Sequence, residues 1–236
     1  MSNTISKSES NQLIAGLPRN ESRSLLQLCE PVDLTFGTEL CEVQTPLQHA
    51  YFPLSGWISL ISATSNHHPL GVAMIGNEGV LGASLALGVS NPRLRGVVHG
   101  PGVGLRTTAS QLRRLLRNSP ALQNALRCYV HVLMGQLIQT ATCNSFHEVE
   151  MRLARWLLMT QDRASSELLP LTHQLLADLL GVQRSAVTIA AGKLQRKKLI
   201  GYSRGQIRIL SRNGLEDACC ECYGVQIRDH ALKLAG

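Results

Sequence analysis

Residues Leu171 to Leu210 read LTHQLLADLLGVQRSAVTIAAGKLQRKKLIGYSRGQIRIL. Thr172 stands where a helix N-cap is needed, ahead of Leu175, Leu176, Leu179 and Leu180, whose spacing places them on one inward face. Ala177 is small, as a close helix crossing requires, and Gly181 with Val182 supplies a tight turn. A second helix is expected from Ser185 to Lys197, burying Val187, Ala190, Ala191 and Leu194. Two short helices joined by a glycine turn form a helix-turn-helix, whose second helix enters the DNA major groove. After Leu199-Ile200, the run Gly201 to Leu210 alternates Ile207 and Ile209 with Gln206 and Arg208 around a glycine turn, which predicts a β-hairpin wing.

Charge selects the partner. Between Leu179 and Leu215 stand eight basic residues, Arg184, Lys193, Arg196, Lys197, Lys198, Arg204, Arg208 and Arg212, and no Asp or Glu. A solvated surface mixes signs, whereas phosphate binding wants one sign. A membrane-surface helix needs a wide apolar face; here that face is narrow and rich in alanine. Double-stranded DNA is the expected partner. Gln183, Arg184, Ser185 and Thr188 fall at the start and on the outer face of the second helix, as base-edge candidates. Arg184 suits guanine and Gln183 adenine, with a phosphate contact as the alternative for Arg184 and Ser185. Thr172, Lys193, Lys197, Arg204 and Arg208 are expected at phosphates, setting affinity and salt dependence.

Outward from this segment the chain changes character twice. From Pro31 to about Thr107 it is dense in Gly and Pro, with short β-favouring runs at Trp57–Ile61, Val72–Ile75 and Gly96–Val98, and predicts a small all-β barrel or sandwich. Ahead of it, Asn11–Leu28 reads as helix interrupted by Pro18, after a mobile lead-in. Beyond Thr107 come a short helix, Ala109 to Leu116, and then a long one opened by Ser119-Pro120. In the long helix Leu122, Leu126, Tyr129, Leu133, Gln136, Thr140 and Cys143 are spaced 4-3-4-3-4-3, the seam of a coiled-coil dimer. A single helix lying on its own β domain gives the same pattern. Val130, Val132, Leu137 and Ile138 are expected to cover the β domain, and Asn144 to Phe146 to break the run. A further amphipathic helix is expected from about Glu148 to Gln161.

With these pieces in order, the sequence resembles the Crp/Fnr-type regulators over nearly its whole length. The resemblance is carried by Tyr51-Phe52-Pro53 with Gly56, by Gly76-Asn77-Glu78-Gly79 with Gly82, by Gln139-Thr140-Ala141-Thr142-Cys143-Asn144, and by the helix-turn-helix. It implies an α+β chain: a double-stranded, jelly-roll-like β-roll of the cyclic-nucleotide-binding type over 1–118, a dimerisation helix over 119–146, and a winged helix-turn-helix over 147–236. It further implies a homodimer on a pseudo-palindromic operator that contacts or excludes RNA polymerase, without catalysis. Two departures matter. The family's nucleotide-binding Gly-Glu-Leu and Arg-Ser/Thr elements correspond here to Gly82-Ala83-Ser84 and Arg95-Gly96, so cyclic AMP is not the expected effector of a pocket at Gly82, Ala83, Ser84 and Arg95. The family's Arg-Glu-x-x-x-Arg recognition pattern is Arg184-Ser185-Ala186-Val187-Thr188-Ile189 here.

The bulk properties agree. The net charge is +7, which suits an acidic partner. No basic start leads into an apolar run, and no stretch approaches the roughly 18 apolar residues of a membrane helix. Seven scattered cysteines, an odd number, fit a reducing cytoplasm better than a disulfide framework. Cys29 and Cys41 are too few to ligate an iron–sulfur cluster. Cys219-Cys220-Glu221-Cys222, with His230 eight residues later, forms one crowded group where zinc wants two separated pairs, so no metal or cofactor is expected. These thiols or Cys143 offer a redox-responsive alternative. His67-His68 are expected in a solvated loop. Cys143 with His147 makes a weak nucleophile–base pair without an oxyanion element or orienting acid. A protein-binding adaptor with an incidental basic face is the remaining reading.

Overall fold

The computed structural model describes residues 10–64, 67–164 and 166–234, with backbone alone at 63–64, 67–68 and 229–234. The expected lead-in over residues 1–9 lies outside the described residues, as does the side chain of His230. The chain divides into two compact units, one of residues up to 58 with 75–133, the other of 59–74 with 134–236. The first expected boundary, at 118/119, therefore lies within one of these units, and residues 59–64 and 67–74 group with the C-terminal part.

The first unit opens with α1 (Gln12–Ala15) and α2 (Arg19–Leu26). Strands β1 (Glu30–Leu34), β7 (Gly102–Thr108) and β3 (His49–Pro53) make an antiparallel sheet in the order β1-β7-β3. A four-stranded sheet has the order β2-β6-β4-β5, with β2 (Glu39–Cys41), β6 (Arg95–Gly100), β4 (Trp57–Thr64) and β5 (His67–Ile75). His67 and His68 thus start a strand, not a loop; their side chains lie outside the described residues. Leu34, Phe52, Trp57 and Ile58 are buried, and aliphatic burial supplies most of the cohesion in so aromatic-poor a chain. Helix α3 (Ala109–Leu116) is held at its start by a capping box between Thr108 and Gln111. Helix α4 (Pro120–Phe146) begins in this unit. Its first free N–H groups, on Ala121 and Leu122, donate to the Glu21 carboxylate of α2 at 3.4 and 2.9 Å. An anion from another helix meets the positive end of α4.

The second unit is built around α5 (Val149–Gln161), in which every residue from Arg152 to Thr160 is buried. The expected amphipathic helix is instead enclosed on all sides, because α6 (His173–Leu180), α7 (Arg184–Arg196), α8 (Arg212–Ala218) and α9 (Cys222–Leu234) all pack on it. Strands β8 (Leu168–Leu169), β10 (Gln206–Ile209) and β9 (Ile200–Ser203) form a small sheet in the order β8-β10-β9. Gly71 of β5 lies against this unit's core so closely that a Cβ there would come within 2.8 Å of the Trp156 ring.

The 4-3 seam of α4 is not open to a second chain. Leu122, Leu126, Tyr129, Gln136, Thr140 and Cys143 are buried within the single chain, and Leu133 is half-buried. Gln136 Oε1 accepts from the Met74 backbone N–H at 3.0 Å, and Cys143 Sγ lies 3.5 Å from Cys220 Sγ. Apolar spacing records that a stripe is covered, but not by what. Leu137 and Ile138, expected to cover the β domain, are exposed, whereas Val132 is buried. The helix also continues through Asn144 to Phe146. No helix among the described residues is long and apolar enough to cross a membrane.

Candidate nucleic-acid interface

Thr172 caps α6 as its position requires, its Oγ1 accepting from the Leu175 N–H at 3.1 Å. Gly181, at φ +63°, ends α6 in the left-handed conformation. Helix α7 follows after two residues, with Gln183 at its N-cap, and buries Val187, Ala190, Ala191 and Leu194. Its other face is open: Gln183, Arg184, Ser185, Thr188 and Ile189 are exposed. The wing turn is Arg204-Gly205, with φ +49° and +78°. Two positive φ values in a two-residue loop match the right-handed twist of the paired strands, and the register Ser203↔Gln206 and Tyr202↔Ile207 follows.

The base-edge candidates do not share one environment. Gln183, Arg184 and Ser185 make no side-chain hydrogen bond or ion pair among the described residues. Thr188 is committed. Its hydroxyl donates to the Arg184 carbonyl at 3.1 Å and lies 3.0 Å from His173 Nδ1. His173 stacks on Tyr202, ring centroids 4.1 Å apart, and so ties α6, α7 and β9 together. Burial, then the neighbouring Arg184 charge, lowers the His173 pKa and disfavours the charged ring.

Among the phosphate candidates, Arg204 and Arg208 are exposed and have no acidic partner among the described residues. Lys193 and Lys197 differ. Their Nζ atoms lie 3.4 and 2.7 Å from the Glu150 carboxylate of α5. The hydrogen bond from Lys197 is the main cause that holds Glu150 below the ordinary carboxylate range. Arg212 is likewise taken by Asp162 and Glu216, at 2.8 and 2.9 Å. The one-signed charge of the linear sequence is therefore partly balanced by acids from elsewhere in the chain.

Sequence reasoning missed Glu150, His173 and Tyr202, which carry no local motif. Ile189 was legible in principle, being an apolar residue set off the buried face of α7, and it is 62% exposed. Such a side chain can meet a thymine methyl group.

The expected effector pocket is not assembled around a free arginine. Arg95 begins β6 and donates from Nε and Nη2 to the two Glu39 carboxylate oxygens, each at 2.7 Å. Gly82, at φ +108°, opens a 3-10 turn over Ala83–Leu87; Ala83 is buried and Ser84 half-buried. Burial raises the Cys29 and Cys41 thiols to about 11, so neither offers a ready thiolate. The structure does gather four other side chains. Cys143, His147, Cys220 and Cys222 present ligand atoms all within 4.8 Å of one another.

A short helix pair, a recognition helix with an open polar N-terminus and a basic wing define a winged helix-turn-helix. Residues 151–218 match the Crp-like helix-turn-helix domain. Solved structures extend the likeness over most of the chain. The c-di-GMP-responsive global regulator CLP of Xanthomonas campestris is 18% identical with a TM-score of 0.66, covering 81% of this chain and 99% of its own. A transcriptional regulator assigned to the crp/fnr family from Eubacterium rectale is 15% identical, TM-score 0.68, covering 87% and 96%. FixK2 from Bradyrhizobium japonicum is 15% identical, TM-score 0.66, covering 81% and 98%. No curated protein sequence matches. The chain has the fold of the Crp/Fnr-type helix-turn-helix transcription regulators.

Proposed function

We propose that the protein is a sequence-specific DNA-binding transcription regulator that acts as a homodimer in the cytoplasm. The observation that carries this reading is the open N-terminal turn of α7, where Gln183, Arg184 and Ser185, like Arg204 and Arg208 of the wing beside it, have no side-chain partner among the described residues. Arg184 reads a base edge, Gln183 and Ser185 support it, and the wing arginines hold phosphates. Thr172 keeps its place at the DNA backbone as a cap, and Thr188 acts by orienting His173 and the Arg184 carbonyl.

The N-terminal sheets are read as a β-roll sensor domain, and the dimer as formed along α4. The supporting face is not the buried seam but a second stripe of similar spacing, Met134, Ile138, Ala141 and Ser145, all exposed, with Leu137 at its flank. Two copies on a pseudo-palindrome place their recognition helices about 34 Å apart, in successive major grooves. RNA polymerase is the partner that occupancy of the operator recruits or excludes. Cyclic AMP is not the proposed effector, since the Arg95 charge is already met by Glu39.

Selection from a randomised DNA library at two salt concentrations tests the reading. Enrichment of an inverted repeat, with affinity falling steeply in salt, is the expected result. Retention without any enriched sequence sinks it and leaves an adaptor with a basic face.

A further inference from the structure

The chemistry the function leaves unused lies at the junction of α4 with α5 and in the turn between α8 and α9. Cys143 is in the last turn of α4, and the His147 N–H bonds the Cys143 carbonyl at 3.1 Å, which keeps the two side chains on one face. Cys220 and Cys222 flank Glu221, the first in the α8–α9 turn and the second at the start of α9. Folding thus supplies the two separated pairs, C-x-x-x-H and C-x-C, that the crowded group at 219–222 could not form alone. We propose that Cys143, Cys220 and Cys222, through Sγ, and His147, through Nδ1, bind a single divalent ion of the zinc class in a closed tetrahedral site.

The spacing fits one ion. Cys143 Sγ is 3.5 Å from Cys220 Sγ, and Cys222 Sγ is 3.5 Å from His147 Nδ1. Zinc–sulfur bonds near 2.3 Å give tetrahedral edges of about 3.8 Å. Four ligand atoms all within 4.8 Å of one another are too close together for a cluster of several irons. Three soft thiolates and an imidazole favour zinc over magnesium or calcium. Four protein ligands leave no open position, as in structural rather than catalytic sites.

Two further observations point to the ion. His147 turns Nδ1 to the thiols, while its Nε2 lies 3.4 Å from Glu221 Oε1. That is the outer-shell carboxylate that orients a metal-bound histidine. Arg152 and Arg155, only 9% and 3% exposed, have no carboxylate partner among the described residues. Arg152 donates to the Leu180 carbonyl and Arg155 to Gln226 Oε1, and both Nε atoms lack partners among the described residues. Two buried guanidinium groups with no carboxylate partner among the described residues call for negative charge nearby. A divalent ion with three thiolates carries one net negative charge and sits within their field. On binding, each thiol releases its proton to solvent as its sulfur–metal bond forms. The ion ties the end of α4 to the turn that carries α8 and α9, and these helices pack on α5, the element behind α7.

The test uses the full chain, purified under reducing conditions without chelator. Elemental analysis is expected to find about one zinc per chain. After chelation, added Co2+ should give the intense visible bands of tetrahedral cobalt and sulfur-to-cobalt charge transfer. Cys143→Ser and Cys222→Ser should abolish these bands, and Cys128→Ser, an exposed thiol outside the group, should leave them intact. Glu221→Gln keeps all four ligands and should weaken Co2+ binding about 10–100-fold, so it decides the matter where a cysteine variant fails to fold. A folded chain that takes up neither Zn2+ nor Co2+ overturns the proposal. So do bands that survive in folded Cys143→Ser, or a Cys143–Cys220 disulfide in protein prepared without air. None of these readouts involves DNA, so failure here leaves the DNA-binding reading untouched.

Discussion

Arg184 and the wing arginines differ in what their loss should do, although all carry one charge. Arg184 projects from the first helical position of α7, where a guanidinium can pair with both acceptors of a guanine edge. Arg184→Ala is expected to relax preference at one base pair by about 1–3 kcal/mol, read by competition between operator variants. Arg204→Ala or Arg208→Ala should instead weaken all sequences alike and lower the slope of log K against log salt by about 1 each. Equal effects of the three substitutions on every sequence would contradict the assignment of Arg184 to a base edge. Thr188, already bound to the Arg184 carbonyl and His173, belongs to the support of this surface.

At the scale of elements, α7 is fastened to α5 by charge as well as by its buried face. Glu150 has a pKa lowered chiefly by the Lys197 hydrogen bond. A carboxylate lowered in the folded state contributes stability above its ordinary pKa of 4.5, and that contribution is lost only as pH falls through the lowered value. At neutral pH both lysines therefore stay on Glu150. Glu150→Gln should release them, and the salt slope of DNA binding should steepen if they reach phosphates. An unchanged slope would make Lys193 and Lys197 fasteners of α7 and no more.

For the whole molecule the proposed dimer turns on one exposed face of α4. Ile138 is 65% exposed and Met134 52%, an expensive arrangement to leave in water along one stripe. Ile138→Glu should convert the proposed dimer to a monomer in sedimentation velocity. Binding to the inverted repeat should fall far more than binding to a single half-site, because linkage of the two half-sites is lost. A dimer unaffected by Ile138→Glu would place the interface elsewhere.

The amino-acid sequence by itself determined the helix-turn-helix and its wing, because caps, glycine turns and apolar periodicity are local properties: Thr172, Gly181 and the Ile207/Ile209 alternation each act within a few residues. It also located the open face of α7, as whatever lies off the buried stripe. Folding supplied three things that no local pattern holds. It covered the 4-3 seam of α4 with the chain's own side chains, since spacing specifies burial but not the burying surface. It balanced Lys193 and Lys197 with Glu150, and Arg212 with Asp162, because electrostatic attraction acts through space and is blind to sequence distance. It brought Cys143 and His147 to Cys220 and Cys222, as only folding can set ligand atoms from two distant segments within bonding range of one ion.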